Sequence, residues 1–185
     1  MSTRAHGEES TKNGKAAWDG VAALVAQIKK CEAAGATTSA LAMAYICIDT
    51  MAFLSLPASR DTQGRDDFVS WVDTYLKGYP KQSYQYRGID VYGARCAVLH
   101  AFGSEVDYHR KKKDAKIFMY STGGKHICAP GKNERFVIIG TASFLNDIDR
   151  AVTTFKDACQ ADADLRQRVE TRLPKVLANF PFSAQ

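Results

Sequence analysis

The architecture of this chain is best read outward from one segment, Tyr92-Gly93-Ala94-Arg95-Cys96-Ala97-Val98-Leu99-His100-Ala101-Phe102-Gly103. Its small and apolar residues recur at helical spacing, and Gly103 is a typical helix stop. Arg95 and His100 interrupt this apolar pattern and are separated by four residues. A guanidinium can hold phosphate oxygens in a fork, and an imidazole can move a proton near neutral pH. The pair is therefore a candidate phosphodiester site within a helix.

Helical patterns lie on both sides of this segment. Apolar residues at steps of three and four, bounded by glycine and proline, indicate six helices in all. The predicted helices cover about 16–34, 37–54, 66–76, 88–102, 142–159 and 163–178. Gly35 is the expected stop of the first helix, and Thr37, Thr38 or Ser39 is the expected N-cap of the second. Pro174 is expected to bend or interrupt the last helix.

A different pattern separates the fourth and fifth helices. Lys116–Tyr120 and Arg135–Ile139 are short runs of β-formers, with the turn signals Gly123-Gly124 and Pro130-Gly131 between them. They predict a small antiparallel β-hairpin at about 116–140, to which His126-Ile127-Cys128 could add a third strand. The predicted fold is therefore mainly α, a bundle of about six helices with a small inserted antiparallel β-hairpin.

The bulk composition is that of a globular protein. The chain has 185 residues, of which 45% are hydrophobic and 24% charged, and its net charge is +5. We expect a single domain at 15–180 after a disordered polar tail at 1–14. No apolar run approaches the roughly 20 residues of a membrane span, and no signal peptide is recognised, so we expect a cytoplasmic protein without a membrane partner. The five scattered cysteines have no zinc spacing, and we expect no metal and no cofactor.

The spacing of Arg95 and His100 carries a prediction about assembly. Five residues turn a straight helix through about 500°, so the two side chains should point about 140° apart. One chain is then not expected to aim both groups at one phosphate. Two copies packed across a two-fold axis could do so, because each would supply groups to a shared cleft. The spacing predicts a homodimer joined through this helix.

The Arg95-x4-His100 segment resembles the signature of the HEPN superfamily, helical bundles whose RNase members carry Arg-x(4–6)-His on one long helix. The order of the helices is similar too, with Ala44–Thr50 on an amphipathic second helix and Trp71–Leu76 at the end of an Asp-rich third helix. The resemblance covers residues 15 to 105 in arrangement, but specific residues only at 92–103.

This resemblance implies a metal-independent RNA endonuclease that cleaves by attack of the ribose 2′-hydroxyl. His100 would be the general base or acid, and Arg95 would hold the scissile phosphate and offset its developing charge. The products would carry a 2′,3′-cyclic phosphate. Such domains often serve as toxins or in defence, so an antitoxin would be a partner. In catalytic members the position after the arginine is usually polar, and here it is Cys96.

Several other residues are candidates for supporting roles. Cys96 could contribute a thiol hydrogen bond, Glu105 lies a turn beyond His100 and could orient its imidazole, and Asp49 could pair with Arg95. A basic run follows the motif and would attract an RNA backbone. Its members are Arg110, Lys111, Lys112 and Lys113. Tyr108 and His109 could stack on bases, although a solvated charged turn explains the same run.

The same residues also admit a structural interpretation. Arg95 could pair with an acid, either Asp49 or Asp90, and His100 could be a satisfied histidine near a helix end. The second predicted function is therefore a non-catalytic HEPN-like dimeric helical module, which binds RNA or a nucleotide or acts as a scaffold.

Overall fold

The computed structural model describes residues 3–112, 114–122, 124–128 and 135–176, with side chains from Trp18 onward except at Cys128. Its described part is mainly helical. The helices are α1 (Thr3–Ala33), α2 (Thr37–Leu54), α3 (Arg65–Trp71), α4 (Gly88–Ala101), α5 (Asp107–Lys111), α6 (Thr141–Ala161) and α7 (Ala163–Arg172). The strands are β1 (Ile117–Ser121), β2 (Ile127–Cys128) and β3 (Phe136–Gly140). Two short turns extend helices: a π-turn at Val72–Leu76 and a 3-10 turn at Leu173–Lys175.

All six predicted helices are present, and the mainly α class is confirmed. The seventh helix, α5, lies in the charged run, where acidic Asp107 at its start and basic residues at its end suit the helix dipole. Gly35 ends α1 with a φ of 72°, as expected. The N-cap of α2 is Ala36 without a side-chain bond, so the predicted Thr and Ser caps are wrong. α1 begins at Thr3, whereas the sequence predicted a start at about residue 16 after a disordered tail at 1–14.

α2 is the central helix because apolar residues cover most of its circumference. Leu41, Tyr45, Ile48 and Met51 are buried, as the spacing predicted, and α2 contacts α1, α3, α4, α6 and α7. By length and composition alone α2 could cross a membrane, but half of it is buried inside the fold. This is the expected property of a core helix, and α2 thereby supplies a rigid support for α4.

The predicted antiparallel hairpin of β1 and β3 is wrong, because these strands are parallel. The sheet order is β1-β3-β2, and Ile117 lies opposite Phe136. The expected third strand is present as β2, and it is β2 that pairs antiparallel with β3. After β1 the chain crosses to the far edge of the sheet and runs in the opposite direction as β2. It then returns as β3, which lies between β1 and β2. Two β-forming segments joined by a turn-rich link have the same sequence pattern whether they pair as an antiparallel hairpin or, as here, as parallel strands.

The start of α4 is fixed by two carboxylates. Asp73, in the π-turn, accepts a hydrogen bond from the Gly88 backbone N–H at 2.9 Å. Asp90 is fully buried and accepts from the backbone N–H groups of Arg87 and Lys116 at 2.8 and 2.9 Å. Asp90 thus joins α4 to the entry of β1, and its hydrogen bonds do not include Arg95. These contacts fix the register of the helix that carries the motif.

Candidate functional site

Arg95 is held by Asp49, one of the two acids proposed as its partner. The Arg95 Nε and Nη2 atoms both lie 2.8 Å from Asp49 Oδ2, which joins α4 to α2. About a fifth of each side chain is exposed, 22% for Arg95 and 24% for Asp49. Gln63 Nε2 donates to the other oxygen, Asp49 Oδ1, at 3.3 Å. Partial burial lowers the pKa of Arg95, but the hydrogen bonds and charges of Asp49 and Cys96 together outweigh it, so the pKa is raised.

Arg95 and His100 meet within one chain. Arg95 Nη1 lies 2.8 Å from His100 Nε2, and the imidazole is exposed at the surface. The two side chains therefore meet despite the predicted angular separation of about 140°, and the need for a second copy at one phosphate stays a prediction. The 140° separation applies to bonds leaving the helix axis, whereas the guanidinium lies several bonds out and can lie along the helix surface. A guanidinium only donates, so Nε2 accepts and the ring proton lies on Nδ1 in this arrangement.

The helix ends one residue earlier than predicted. Phe102, not Gly103, takes the left-handed conformation, with a φ of 49°. The Gly103 backbone N–H then closes the turn on the Ala97 carbonyl oxygen at 3.0 Å. This places the Phe102 ring outside the fold, with 80% of the residue exposed, two positions after His100.

Cys96 and Tyr92 lie beside the pair. Arg95 Nη1 has a long contact of 4.0 Å with the Cys96 sulfur. The Tyr92 pKa is raised by burial first, and then by the charge and hydrogen bond of Cys96. Tyr92 also packs edge-on against Phe68 and Tyr108. Cys96 therefore interacts with both the arginine and a phenol, and its supporting role stays a prediction.

A cleft of about 340 Å³ opens beside Arg95. Its lining residues come from α2, from the start of α3 and from α4. They are Asp49, Gln63, Gly64, Arg65, Tyr92 and Arg95. A second, more apolar cavity of about 430 Å³ lies between α1 and α2 and shares Asp49 and Gln63 with the first. Neither Arg65 nor Gln63 was predicted as a site residue, because their sequence positions lie about 30 residues from the motif and only the packing of α3 brings them to it.

The remaining predicted residues surround the site at greater distance. Glu105 is exposed, and among the described residues no hydrogen bond joins it to His100. Tyr108 is half-buried, Arg110 pairs with Asp107, and Lys111 and Lys112 are exposed. Lys113 lies outside the described residues.

His109 cannot stack on a base as expected, because it is fully buried. Its Nδ1 accepts from the Val106 backbone N–H at 3.3 Å, and its ring lies against Gly93 of α4. Burial lowers the pKa of His109. This histidine therefore attaches α5 to the motif helix.

A second buried histidine lies away from the cleft. His126 Nε2 lies 3.2 Å from Asp147 Oδ2, and both side chains are inaccessible or nearly so. Arg150 pairs with Asp147 from the surface. Burial lowers the pKa of His126 to about 4, so a neutral ring that donates from Nε2 to the carboxylate fits this position. We assign this cluster to fold stability.

No group of three or more His, Cys, Asp or Glu side chains in the described ranges could hold a metal ion. Comparison of the chain with family models, curated proteins and solved structures finds no match. The functional argument therefore depends on the site itself.

Proposed function

We propose that this protein is a metal-independent RNA endonuclease of the HEPN type, in which Arg95 and His100 act on one phosphodiester. The observation that carries the proposal is the 2.8 Å contact between Arg95 Nη1 and the exposed His100 Nε2, and Arg95 also lines an open cleft. A cation that binds phosphate and a base that accepts a proton are the two groups that this cleavage requires.

His100 acts as the general base in the proposed reaction. When a phosphate oxygen takes the Arg95 N–H, His100 Nε2 is released and can accept the proton of the adjacent 2′-hydroxyl. The 2′-oxygen then bonds to phosphorus, and the bond from phosphorus to the 5′-oxygen breaks. The leaving oxygen takes up a proton from solvent, which gives a 2′,3′-cyclic phosphate and a 5′-hydroxyl, and His100 returns its proton to solvent.

Arg95 is positioned to bind the phosphate. Of the five N–H groups of a guanidinium, three face Asp49 and His100, so two remain, one of them with only the long contact to Cys96. Asp49 holds the guanidinium in place before substrate arrives, so little ordering is needed when the phosphate binds. Charge that develops on the phosphate oxygens then meets fixed donors.

The biological setting belongs to the same proposal. We place the protein in the cytoplasm, as a homodimer joined through α4, in a toxin or defence role with an antitoxin as partner. The exposed Phe102 ring at the end of α4 would lie in such an interface. The basic residues Arg110, Lys111 and Lys112 of α5 would add attraction for RNA.

The test is cleavage of labelled single-stranded RNA in EDTA by the wild-type protein and by the His100→Ala and His126→Gln variants. Wild type and His126→Gln should cleave, and His100→Ala should lose at least about a hundredfold in rate, the usual contribution of a general base. Equal cleavage by wild type and His100→Ala would remove His100 from the chemistry.

A non-catalytic module that binds RNA or a nucleotide, or acts as a scaffold, is the second candidate. One observation favours it: Asp49 offsets the charge of Arg95, and Arg95 occupies the proton-accepting nitrogen of His100. RNA binding without cleavage by any of these proteins would support this function over the first.

A further inference from the structure

A phosphate that enters the cleft beside Arg95 would give this cleft an excess of negative charge. Asp49 lies on the Arg95 guanidinium and offsets its charge, so this ion pair is close to neutral as a whole. An incoming phosphodiester adds a negative charge next to a carboxylate. A site of this kind therefore needs a second cation to attract a nucleic acid backbone.

Arg65 is the second cation in this cleft. It is the first residue of α3 and lines the same 340 Å³ cavity as Arg95. Tyr92 of α4 lines this cavity together with the two arginines. A cavity of about 340 Å³ has room for one nucleotide unit.

The present partner of Arg65 is weakly held. Arg65 Nε lies 3.0 Å from Asp66 Oδ1, but 49% of the Arg65 side chain and 87% of the Asp66 side chain are exposed. Exposed ion pairs between adjacent residues contribute little, because water and salt screen them. Arg65 can therefore exchange Asp66 for a phosphate at small cost, whereas Arg95 is fixed by Asp49.

We infer that Arg65 is a second phosphate-binding residue, which takes the phosphate next to the one held by Arg95. The cleft then recognises two successive phosphates of a single-stranded RNA, with one nucleotide unit between them. Tyr92 is the aromatic side chain of the cleft lining and offers that unit a ring to pack against. This inference rests on the proposed RNA function, but it concerns binding and can be measured without cleavage.

The experiment measures the salt dependence of binding of a fluorescein-labelled twelve-nucleotide RNA. All proteins carry His100→Ala so that the RNA stays intact, and Arg65→Ala, Arg65→Lys and Asp66→Asn are added singly. Arg166→Ala is the matched control, since Arg166 is an exposed arginine on α7 that lies outside the cleft lining.

Loss of one phosphate contact on a single strand lowers the slope of log K against log salt by about 0.7 in magnitude. Arg65→Ala should show this change and about a tenfold weaker affinity at low salt, as expected for one charged hydrogen bond. Arg65→Lys should keep most of the slope, and Asp66→Asn should bind more tightly. Arg166→Ala should match the parent protein.

The inference is overturned if Arg65→Ala keeps the parent slope, or if Arg65→Ala and Arg166→Ala weaken binding equally. No RNA binding by any of the proteins overturns it as well. Cleavage by the protein with His100 intact is measured separately. If binding depends on Arg65 but no RNA is cleaved, the inference about Arg65 stands and the endonuclease is rejected. If RNA is cleaved but binding does not depend on Arg65, the endonuclease stands and the inference is rejected.

Discussion

The Arg95 guanidinium has enough N–H groups for two protein partners and a phosphate. It pairs with Asp49 on α2, donates to His100, and keeps N–H groups for a phosphate. Only a planar group with donors on several sides can do this, because an ammonium is a single point of charge at the end of a flexible stem. The identity of the cation therefore matters more than its charge.

Arg95→Lys should lose nearly as much cleavage activity as Arg95→Ala, at least about a hundredfold in kcat/KM. The lysine cannot reach Asp49 and His100 together, so the phosphate loses its fixed donors. Steady-state cleavage of the labelled RNA measures the effect. A lysine variant with a tenth or more of the wild-type kcat/KM would show that charge alone suffices.

His126 makes the stability of the fold dependent on pH. Its pKa in the folded protein is about 4, lowered by burial, whereas an unfolded chain takes up this proton near pH 6.5. Between these values the unfolded state binds more protons, so the free energy of unfolding falls as the pH is lowered. The slope reaches at most about 1.4 kcal/mol per pH unit.

From pH 7 to pH 5, wild type should therefore lose about 2 kcal/mol more than His126→Gln in the free energy of unfolding. Glutamine can still donate to Asp147 but does not titrate. Urea unfolding of both proteins at the two pH values measures the difference, and the contribution of buried His109 is common to both. Equal losses in the two proteins would contradict a buried neutral His126.

At the level of elements, α4 depends on close packing against the end of α3. A Cβ atom added at Gly88 would lie 2.7 Å from the Val69 carbonyl oxygen and 2.8 Å from Asp73 Oδ2. Neither the backbone oxygen nor the carboxylate that holds the Gly88 N–H can move freely. Glycine at this position therefore sets how close the motif helix lies to α3 and to the cleft.

Gly88→Ala should lower the free energy of unfolding by about 1–3 kcal/mol, the usual cost of overpacking a rigid contact. Gly103→Ala is the control, because a Cβ there meets nothing closer than 3.7 Å. Chemical unfolding of the two variants gives the comparison. A Gly88→Ala protein as stable as Gly103→Ala would mean that α3 and α4 adjust without cost.

The elements differ in how well the sequence predicts them. Helix periodicity and the Gly35 stop predict α1 and α2 well, because both signals are local. The direction of β3 relative to β1 is not local: it depends on the two-residue strand β2 taking the outer position beside β3. Likewise α5 is too short for a periodic signal, and its charges read equally well as a turn.

The candidate site also combines features that local sequence signals predict with contacts that only tertiary packing determines. Residue chemistry and helix order predicted the motif and named Asp49 as one of two acids that could pair with Arg95. The structure shows Asp49 in contact with Arg95. The contact of Arg95 with His100 was missed because helix rotation alone ignores the length of an arginine side chain. Arg65 was missed because no short-range pattern relates it to α4. Tertiary packing decides all such contacts.

At the scale of the whole molecule, Arg95 and His100 already meet within one chain. An interface through α4 would then bring two complete sites near each other, and neither site would need a residue from the partner copy. This differs from the shared cleft that the helix rotation predicts. The two arrangements can be separated by mixing inactive chains.

Arg95→Ala and His100→Ala proteins, co-refolded in equal amounts, should remain inactive, because every chain lacks one of the two groups. A site shared across a two-fold axis would instead regain roughly a quarter of the wild-type activity, since half of the dimers would be mixed and each would hold one complete site. RNA cleavage by the mixture, with dimer formation checked by analytical ultracentrifugation, decides between them.

We propose that His100, positioned by Arg95, activates a ribose 2′-hydroxyl without a metal ion. The most direct test is single-turnover cleavage in EDTA of one RNA and of the same sequence with every 2′-hydroxyl methylated, by wild type and by His100→Ala. We predict that wild type cuts only the unmodified RNA, leaves 2′,3′-cyclic phosphate ends, and that His100→Ala cuts neither. Cleavage of the methylated strand, ends without a cyclic phosphate, or an intact RNA in the presence of wild type would contradict the account.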